Sequence, residues 1–140
     1  MAMNIFEKLS AEQKLELTQS IMVMLDDWGL SNHNKMILLD LPSDIKLRAM
    51  RRFYQDQPLP DHAQVLERVD HLLGIADALR TSFPLNSQMT TFWLNKINPR
   101  FNNQTPLDYM LEGGINHVVA IRTHLDCAWD WNQDITTSEK

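Results

Sequence analysis

Residues 61–84 read Asp61-His-Ala-Gln-Val-Leu-Glu-Arg-Val-Asp-His-Leu-Leu-Gly-Ile-Ala-Asp-Ala-Leu-Arg-Thr-Ser-Phe-Pro84 and decide the fold class. Their apolar side chains recur every three or four residues, which places them on one face of an α-helix. These side chains are Val65, Leu66, Val69, Leu72, Leu73, Ala76, Leu79 and Phe83. Proline cannot continue a helix, so Pro84 is predicted to end it. A long amphipathic helix in the middle of the chain favours a helical fold.

The same periodicity extends toward the N-terminus. A helix over 10–28 is predicted to end at Gly29, because its apolar residues also follow helical spacing. These residues are Leu17, Ile21, Met24, Leu25 and Trp28. Ser31 is predicted to cap a short helix that Pro42 ends, and a further helix is predicted over 43–54.

Toward the C-terminus the pattern predicts shorter helices. A helix over 87–95 precedes a loop over 98–104, and Thr105-Pro106 starts the next helix with Thr as N-cap and Pro at the first position. Glycines at 113–114 are expected to break that helix before the last one. About seven helices and no strand result, so the sequence predicts an all-α fold.

Composition limits the possible functions. The 140 residues include only four glycines, Gly29, Gly74, Gly113 and Gly114. This scarcity argues against sheets and predicts turns built from Asn, Asp, Ser and Pro; neither a Walker loop nor a dinucleotide fingerprint occurs. Cys127 is the single cysteine, which excludes an internal disulfide and fits a reducing compartment.

Charge is distributed unevenly along the chain. The formal net charge is -5, but residues 35–60 carry five basic and three acidic residues. A protein that binds nucleic acid over its whole surface is expected to be basic overall, so only a local contact fits. No apolar run is long enough to span a membrane, and the N-terminus lacks the pattern of a secretion signal. A cytoplasmic protein without membrane contact is therefore expected.

No pattern of residues predicts an active site. His117, His124 and Cys127 share the last predicted helix, but the two histidines are separated by about 10.5 Å along a helix axis and cannot share a metal ion. His124 and Cys127 could share one, but further ligands must then come from elsewhere in the chain. The adjacent carboxylates Asp26 and Asp27 lie at a helix C-terminus, where the dipole disfavours them. That position indicates either an unidentified partner or indifference. No enzyme, catalytic residue, metal or cofactor is predicted.

A basic segment is the first candidate binding site. Two short helices, over 32–41 and 43–54, have the lengths and the turn of a degenerate helix-turn-helix. The second one contains the residues predicted to contact DNA, which are Lys46, Arg48, Arg51 and Arg52. Such side chains contact phosphates, and the usual base-reading Gln, Asn, Ser and Thr are missing beside them. A solvated helix face is the alternative interpretation.

The second candidate is the stretch Trp93-Leu-Asn-Lys-Ile-Asn-Pro-Arg-Phe-Asn-Asn-Gln-Thr-Pro-Leu-Asp-Tyr-Met-Leu111. It resembles the toxin-binding domain of the Xre/MbcA/ParS-type antitoxins, which has Trp-Leu, Asn-Pro, a short turn, Thr-Pro-Leu-Asp and then a glycine. The resemblance covers roughly residues 30–128. It divides the chain into an N-terminal region over 1–84 with an Xre-like helix-turn-helix and a long helix, a toxin-binding domain over 85–131, and a polar tail over 132–140.

The resemblance implies an antitoxin of a type II toxin–antitoxin pair. Its expected partner is a RES-domain, NAD-degrading toxin whose active site it covers, with operator DNA as a second partner and a homodimer as the assembly. The predicted toxin-binding residues are Asn98, Pro99, Arg100, Phe101, Asn102, Asn103, Thr105, Pro106, Trp129 and Trp131. A stand-alone helix-turn-helix regulator without a toxin is the alternative, and a helical scaffold is a third.

This sequence departs from the family pattern in the turn before Thr105. Relatives often have glycines there, whereas this chain has Asn102 and Asn103, the residue type that tolerates positive φ best after glycine. Phe101 is expected to anchor the loop in the core. Trp129 and Trp131 replace the family's usual C-terminal ending, and at i and i+2 they cannot both face one core.

Overall fold

All regular elements of the described residues are helical. The computed structural model describes the backbone of residues 8–86 and 88–138 and the side chains of residues 8–86 and 88–127. The elements are α1 (Ala11–Asp27), α2 (Asn32–Leu39), a 3₁₀ helix (Leu47–Tyr54), α3 (Ala63–Ser82), α4 (Gln88–Leu94), a 3₁₀ turn (Pro99–Phe101) and α5 (Pro106–Ser138). The predicted all-α fold is confirmed.

The chain divides into two compact units, Met1–Asp70 and His71–Lys140. This division falls within α3, whereas the sequence places a boundary after residue 84, at the end of that helix. The boundaries at 84 and 131 stay predictions. Each unit contains one of the two candidate binding sites, and each is described by itself below.

Left-handed residues end the first two helices. Gly29 has φ 89° and follows α1, where the Leu30 N–H donates to the Leu25 carbonyl at 3.2 Å. This bond satisfies one of the last carbonyls of the helix. Asp40 has φ 54° and ends α2 in the same conformation. The stop at Gly29 is confirmed, and Asp40 confirms the expectation that Asp takes the place of glycine in turns.

The predicted α-helix over 43–54 is wrong. Lys46 has an extended backbone with φ -91° and ψ 157°, and a 3₁₀ helix begins at Leu47. A 3₁₀ helix has three residues per turn, so side chains three apart lie on one face. Met50 and Phe53 are three apart and buried, with 0% and 2% of their surfaces exposed. Met50 and Phe53 therefore face the core together, whereas Leu47, three residues before Met50, is 52% exposed.

The helix α3 buries most of the predicted stripe, with one difference. Leu73 is 37% exposed, while Ile75, outside the predicted stripe, is fully buried. Arg68 also lies on the buried face, where its Nη1 donates to the carbonyls of Ile37 at 3.3 Å and Leu38 at 2.8 Å. A buried cation is thus placed at the C-terminus of α2, where it donates to two of the last carbonyls of the helix, of which the Ile37 carbonyl also accepts from the Asp40 N–H at 3.1 Å.

Two adjacent glycines have different roles within α5. Gly114 has φ 69° and ψ -153°, a conformation that is essentially restricted to glycine, and it interrupts the helix. A Cβ atom at Gly113 would overlap the ring of His117. The break predicted at Glu112–Gly114 is therefore confirmed. Gly114 is required by its backbone conformation, and Gly113 by the lack of space for a side chain.

Candidate functional site

The candidate toxin-binding site is a loop over 98–104 that is closed by backbone hydrogen bonds. The Asn98 N–H donates to the Gln104 carbonyl at 3.0 Å, and the Phe101 N–H donates to the Asn98 carbonyl at 3.0 Å. The Asn98 side chain accepts a further bond from the Arg100 N–H at 3.0 Å. Because these bonds are local, the loop conformation is held by contacts within the loop itself.

Two consecutive asparagines reverse the chain inside this loop. Asn102 and Asn103 both have φ 60°. The Gln104 N–H then donates to the Phe101 carbonyl at 3.0 Å. Asparagine is the residue type, after glycine, that adopts this left-handed conformation most readily. The left-handed conformation expected of Asn102 and Asn103 is confirmed.

An aromatic cluster around Phe101 anchors the loop. Phe101 is 5% exposed, and its ring centroid lies 6.2 Å from that of Trp93, 5.3 Å from His124 and 5.2 Å from Tyr109. The contacts with Trp93 and His124 are edge-on, an arrangement that aromatic pairs favour. Phe101 therefore fixes the loop on α5, as the sequence predicted.

His124 has an unusual electrostatic environment in this cluster. Its ring stacks on Trp93 at a centroid distance of 6.2 Å and an interplanar angle of 13°. Partial burial lowers the pKa of His124, and the positive charge of Arg100 lowers it further. The neutral ring is therefore favoured beneath the loop.

A hydroxyl cap starts the helix that follows the loop. The Asp108 N–H donates to Thr105 Oγ1 at 3.0 Å, and Pro106 is the first helical residue. Pro106 lacks an N–H, and the first N–H groups of a helix have no intrahelical partner in any case. The predicted cap and the predicted first position are both confirmed.

The predicted toxin-binding residues fall into three groups. The exposed group, which can contact a partner, is Pro99, Arg100, Asn102 and Asn103. Asn98 and Thr105 are half-buried, whereas Phe101 and Pro106 are buried, so these four shape the loop more than they offer contact area. The side chains of Trp129 and Trp131 lie outside the described residues, and their role stays a prediction.

Two exposed apolar residues beside the loop are not among the residues that the sequence predicted for this site. Ile97, directly before the loop, is 63% exposed, and Phe92 on α4 is 55% exposed with Lys96 Nζ 5.6 Å from its ring centroid. The apolar residues of the helix predicted over 87–95 are Met89, Phe92, Trp93 and Leu94. Phe92, Trp93 and Leu94 are consecutive, however, and three consecutive helical residues cannot all face one core.

The candidate DNA-binding site is an open groove of about 1340 Å³ in the N-terminal unit. The four residues predicted to contact DNA all line it; they are Lys46, Arg48, Arg51 and Arg52. Asp44, Asn32 and Gln57 also contribute to its wall. Four cations against one carboxylate make the groove a basic surface in an acidic protein, although its wall is a 3₁₀ helix and not an α-helix.

A buried lysine next to this groove has three oxygen partners. Lys35 is 2% exposed and forms an ion pair with Asp26, while its Nζ lies 2.5 Å from Tyr54 Oη and 3.1 Å from Asn32 Oδ1. Tyr54 in turn donates to Asp26 at 2.7 Å. Asp26 at the unfavourable end of α1 therefore has a partner, which the sequence indicated as one of two possibilities without identifying it.

Hydrogen bonding decides the ionisation of this cluster. Burial alone would raise the pKa of Asp26, but the bonds from Lys35 and Tyr54 outweigh it and the pKa is lowered. Burial alone would lower the pKa of Lys35, but its bonds to Asp26 and Tyr54 raise it. Burial and Asp26 raise the pKa of Tyr54 against the opposing effect of Lys35. Both members of the ion pair are charged at neutral pH.

The residues considered as metal ligands are engaged elsewhere. His117 Nδ1 lies 2.7 Å from the Tyr109 carbonyl and its ring stacks on Tyr109, whereas His124 packs on Trp93. Cys127 is exposed. Among the residues that the structure describes, no group of three or more His, Cys, Asp or Glu side chains is arranged to hold a metal ion.

Comparison with known proteins confirms the resemblance. Residues 78–126 match the family model described as the antitoxin Xre/MbcA/ParS C-terminal toxin-binding domain. The matched range contains the whole loop and its aromatic anchors. The chain is also similar to an uncharacterized protein y4oB of Sinorhizobium fredii, with 29% identity over 101 residues that cover 72% of this chain and 74% of the relative. No solved structure matches the chain significantly.

The matched family model describes antitoxin domains that bind a toxin. Domains of this family are generally not enzymes. Within the described residues, no helix is long and apolar enough to cross a membrane.

Proposed function

We propose that this chain neutralises a RES-domain toxin by docking its loop 98–104 over the toxin's active site. The observation that carries the proposal is the location of the loop inside the matched range 78–126, with its tip exposed and its base anchored. A non-enzymatic cytoplasmic protein that acts by occupying a partner's site needs no cofactor. The proposal therefore rests on shape and contact, and not on chemistry at this chain's own residues.

The rigidity of the loop supports this function. Ordering a flexible segment on binding costs about 0.5–1.5 kcal/mol for each immobilised side chain. The bonds between Asn98 and Gln104 and the burial of Phe101 meet that cost during folding. A loop already held in its binding conformation can occupy a partner's cleft with little further loss of entropy.

The chemistry of the exposed tip also supports it. Arg100 supplies a planar cation, Asn102 and Asn103 supply amides, and Ile97 supplies apolar area beside them. Interfaces commonly combine an apolar centre with arginine and a polar rim. We include Ile97 and Phe92 in the proposed contact surface for this reason.

Co-expression with a RES-domain toxin tests the proposal. Wild-type chain is expected to restore growth and to elute with the enzyme as one complex on size exclusion. Ile97→Asp combined with Arg100→Glu is expected to abolish both. Arg48→Glu is the matched charge-reversal control, because Arg48 lies in the other compact unit, and it is expected to behave as wild type. Growth inhibition that the wild-type chain does not relieve contradicts the proposal.

The basic groove supports a second function, binding of operator DNA. Four cations line one concave surface, and phosphate contacts account for most of the affinity of many DNA-binding proteins. Arg51→Ala with Arg52→Ala is expected to abolish salt-sensitive binding to the promoter fragment upstream of the gene, with unchanged circular dichroism. Unchanged binding rules out this groove as the DNA site.

A homodimer is part of the same proposal, since many helix-turn-helix proteins bind two half-sites as dimers. Sedimentation equilibrium of the purified chain is expected to give twice the monomer mass of 16.3 kDa. A monomer mass throughout the micromolar range contradicts this part of the proposal and leaves the other parts unaffected.

A further inference from the structure

The buried Lys35 fixes the orientation of one residue of the basic groove. Its three partners are Asp26, Tyr54 and Asn32. An ammonium group has three N–H donors and no acceptor, so these three partners account for all of its hydrogen-bonding capacity. Lys35 therefore holds each partner in a defined position at the edge of the groove.

The orientation of the Asn32 amide follows from this contact. Because Lys35 can only donate, the amide atom that faces it at 3.1 Å is the oxygen, Oδ1. The NH₂ branch of the amide then points away from Lys35. Asn32 is exposed and lines the groove together with the four cations. Toward a ligand in the groove, it offers donors.

We infer that Asn32 is a donor contact for phosphodiester oxygens of duplex DNA and that Lys35 is its positioning residue. This inference rests on the second function proposed above. Phosphate oxygens only accept hydrogen bonds, and neutral amides beside cations are common phosphate contacts. Residues 47–52 of the 3₁₀ helix extend about 10 Å at a rise of about 2.0 Å per residue. One strand of a duplex carries about three phosphates over that length, a number comparable to the four cations of the groove wall.

Two isosteric substitutions test the role of Asn32. Asn32→Asp keeps an acceptor for Lys35 but replaces the donors with a negative charge that repels phosphate. Asn34→Asp makes the same charge change two residues later in α2, outside the groove wall. Affinity for a fluorescein-labelled 30-base-pair duplex, measured by fluorescence anisotropy, is expected to fall about tenfold for Asn32→Asp and less than about twofold for Asn34→Asp. Equal affinities for the two variants overturn the inference.

A double-mutant cycle tests the positioning role of Lys35. Lys35→Met keeps the stem of the side chain and frees the Asn32 amide. If Lys35 acts through Asn32, Lys35→Met weakens DNA binding in the wild-type background but has little effect in an Asn32→Ala background. Equal losses in both backgrounds overturn the positioning role. Should Lys35→Met fail to fold, Asn32→Asp against Asn34→Asp still decides the contact.

The outcomes for the two levels of proposal are distinct. DNA binding that Arg51→Ala with Arg52→Ala abolishes, but that Asn32→Asp leaves intact, overturns the inference and keeps the second proposed function. Wild-type chain that does not bind the duplex overturns both. Binding of a polyglutamate peptide in preference to the duplex identifies an acidic protein segment as the ligand and also overturns both.

Discussion

The ring of His117 lies parallel to the ring of Tyr109, with the centroids 3.8 Å apart, across the helix break at Gly114. His117 Nδ1 also lies 2.7 Å from the Tyr109 carbonyl, to which it donates. This contact places an imidazole directly above Gly113, where a Cβ would overlap it. The glycine pair and the stacked rings therefore pack together at the point where the two parts of α5 meet.

Gly113→Ala is expected to destabilise the protein by about 1–3 kcal/mol, because the Cβ displaces His117 from Tyr109. Alanine is otherwise the better helix former by about 1 kcal/mol. In a His117→Ala background, the same substitution should therefore be neutral or stabilising. Chemical denaturation of the four proteins measures the cycle. Equal effects in both backgrounds would show that the His117 ring does not decide the need for glycine.

Asn102 and Asn103 provide a second prediction. Replacing both by alanine is expected to lower the free energy of unfolding by about 2 kcal/mol, since each alanine must adopt φ near 60°. Replacing both by glycine should leave thermal stability within about 0.5 kcal/mol of wild type. Differential scanning calorimetry compares the two variants. Alanine and glycine variants of equal stability would contradict the left-handed turn.

The pH dependence of stability tests the environment of His124. Its pKa in the folded chain lies below the ordinary histidine value of 6.5, so the unfolded chain binds a proton more readily between the folded pKa and 6.5. The stability contributed by the neutral ring is complete above pH 6.5, is lost as the pH falls through the interval, and then levels off at the folded pKa. His124→Phe should flatten the denaturation profile there, whereas an unchanged slope would contradict the account.

The Asp26–Lys35 pair predicts a second pH effect. At pH 7, Asp26→Asn is expected to cost about 1–2 kcal/mol, because it leaves a buried ammonium without its counter-charge while Asp26 itself is half-exposed. Because the pKa of Asp26 is lowered, this stabilisation is complete above the ordinary aspartate value of 3.8 and is lost as the pH falls from there through the folded pKa. The wild-type and variant curves should converge in acid. Asp56→Asn, an exposed control, should change little at any pH.

Local signals in the sequence were sufficient for the loop. The cap at Thr105, the glycine break and the left-handed asparagines each depend on a few neighbouring residues, and the structure confirms all three. Exposure was harder to predict. Ile97 and Phe92 are apolar but exposed, and apolar periodicity alone cannot distinguish a core face from a surface that awaits a partner.

The N-terminal unit depends more on contacts between distant residues. Lys35 lies 9 residues from Asp26 and 19 from Tyr54, so no local pattern connects the three side chains. The 3₁₀ helix shows another limit. The sequence predicts an α-helix in this segment because a 3.6-residue period fits Ile45, Ala49, Met50 and Phe53. The spacing of Met50 and Phe53 fits either type of helix, and the extended backbone of Lys46 distinguishes the two.

Hydrogen–deuterium exchange on the complex with the RES-domain protein tests the central claim most directly. We expect peptides that cover residues 97–105 to be strongly protected in the complex relative to the free chain, while peptides over the basic residues 46–52 exchange at equal rates in both. Protection restricted to other parts of the chain, with unchanged exchange over 97–105, would contradict the proposal that this loop occupies the toxin.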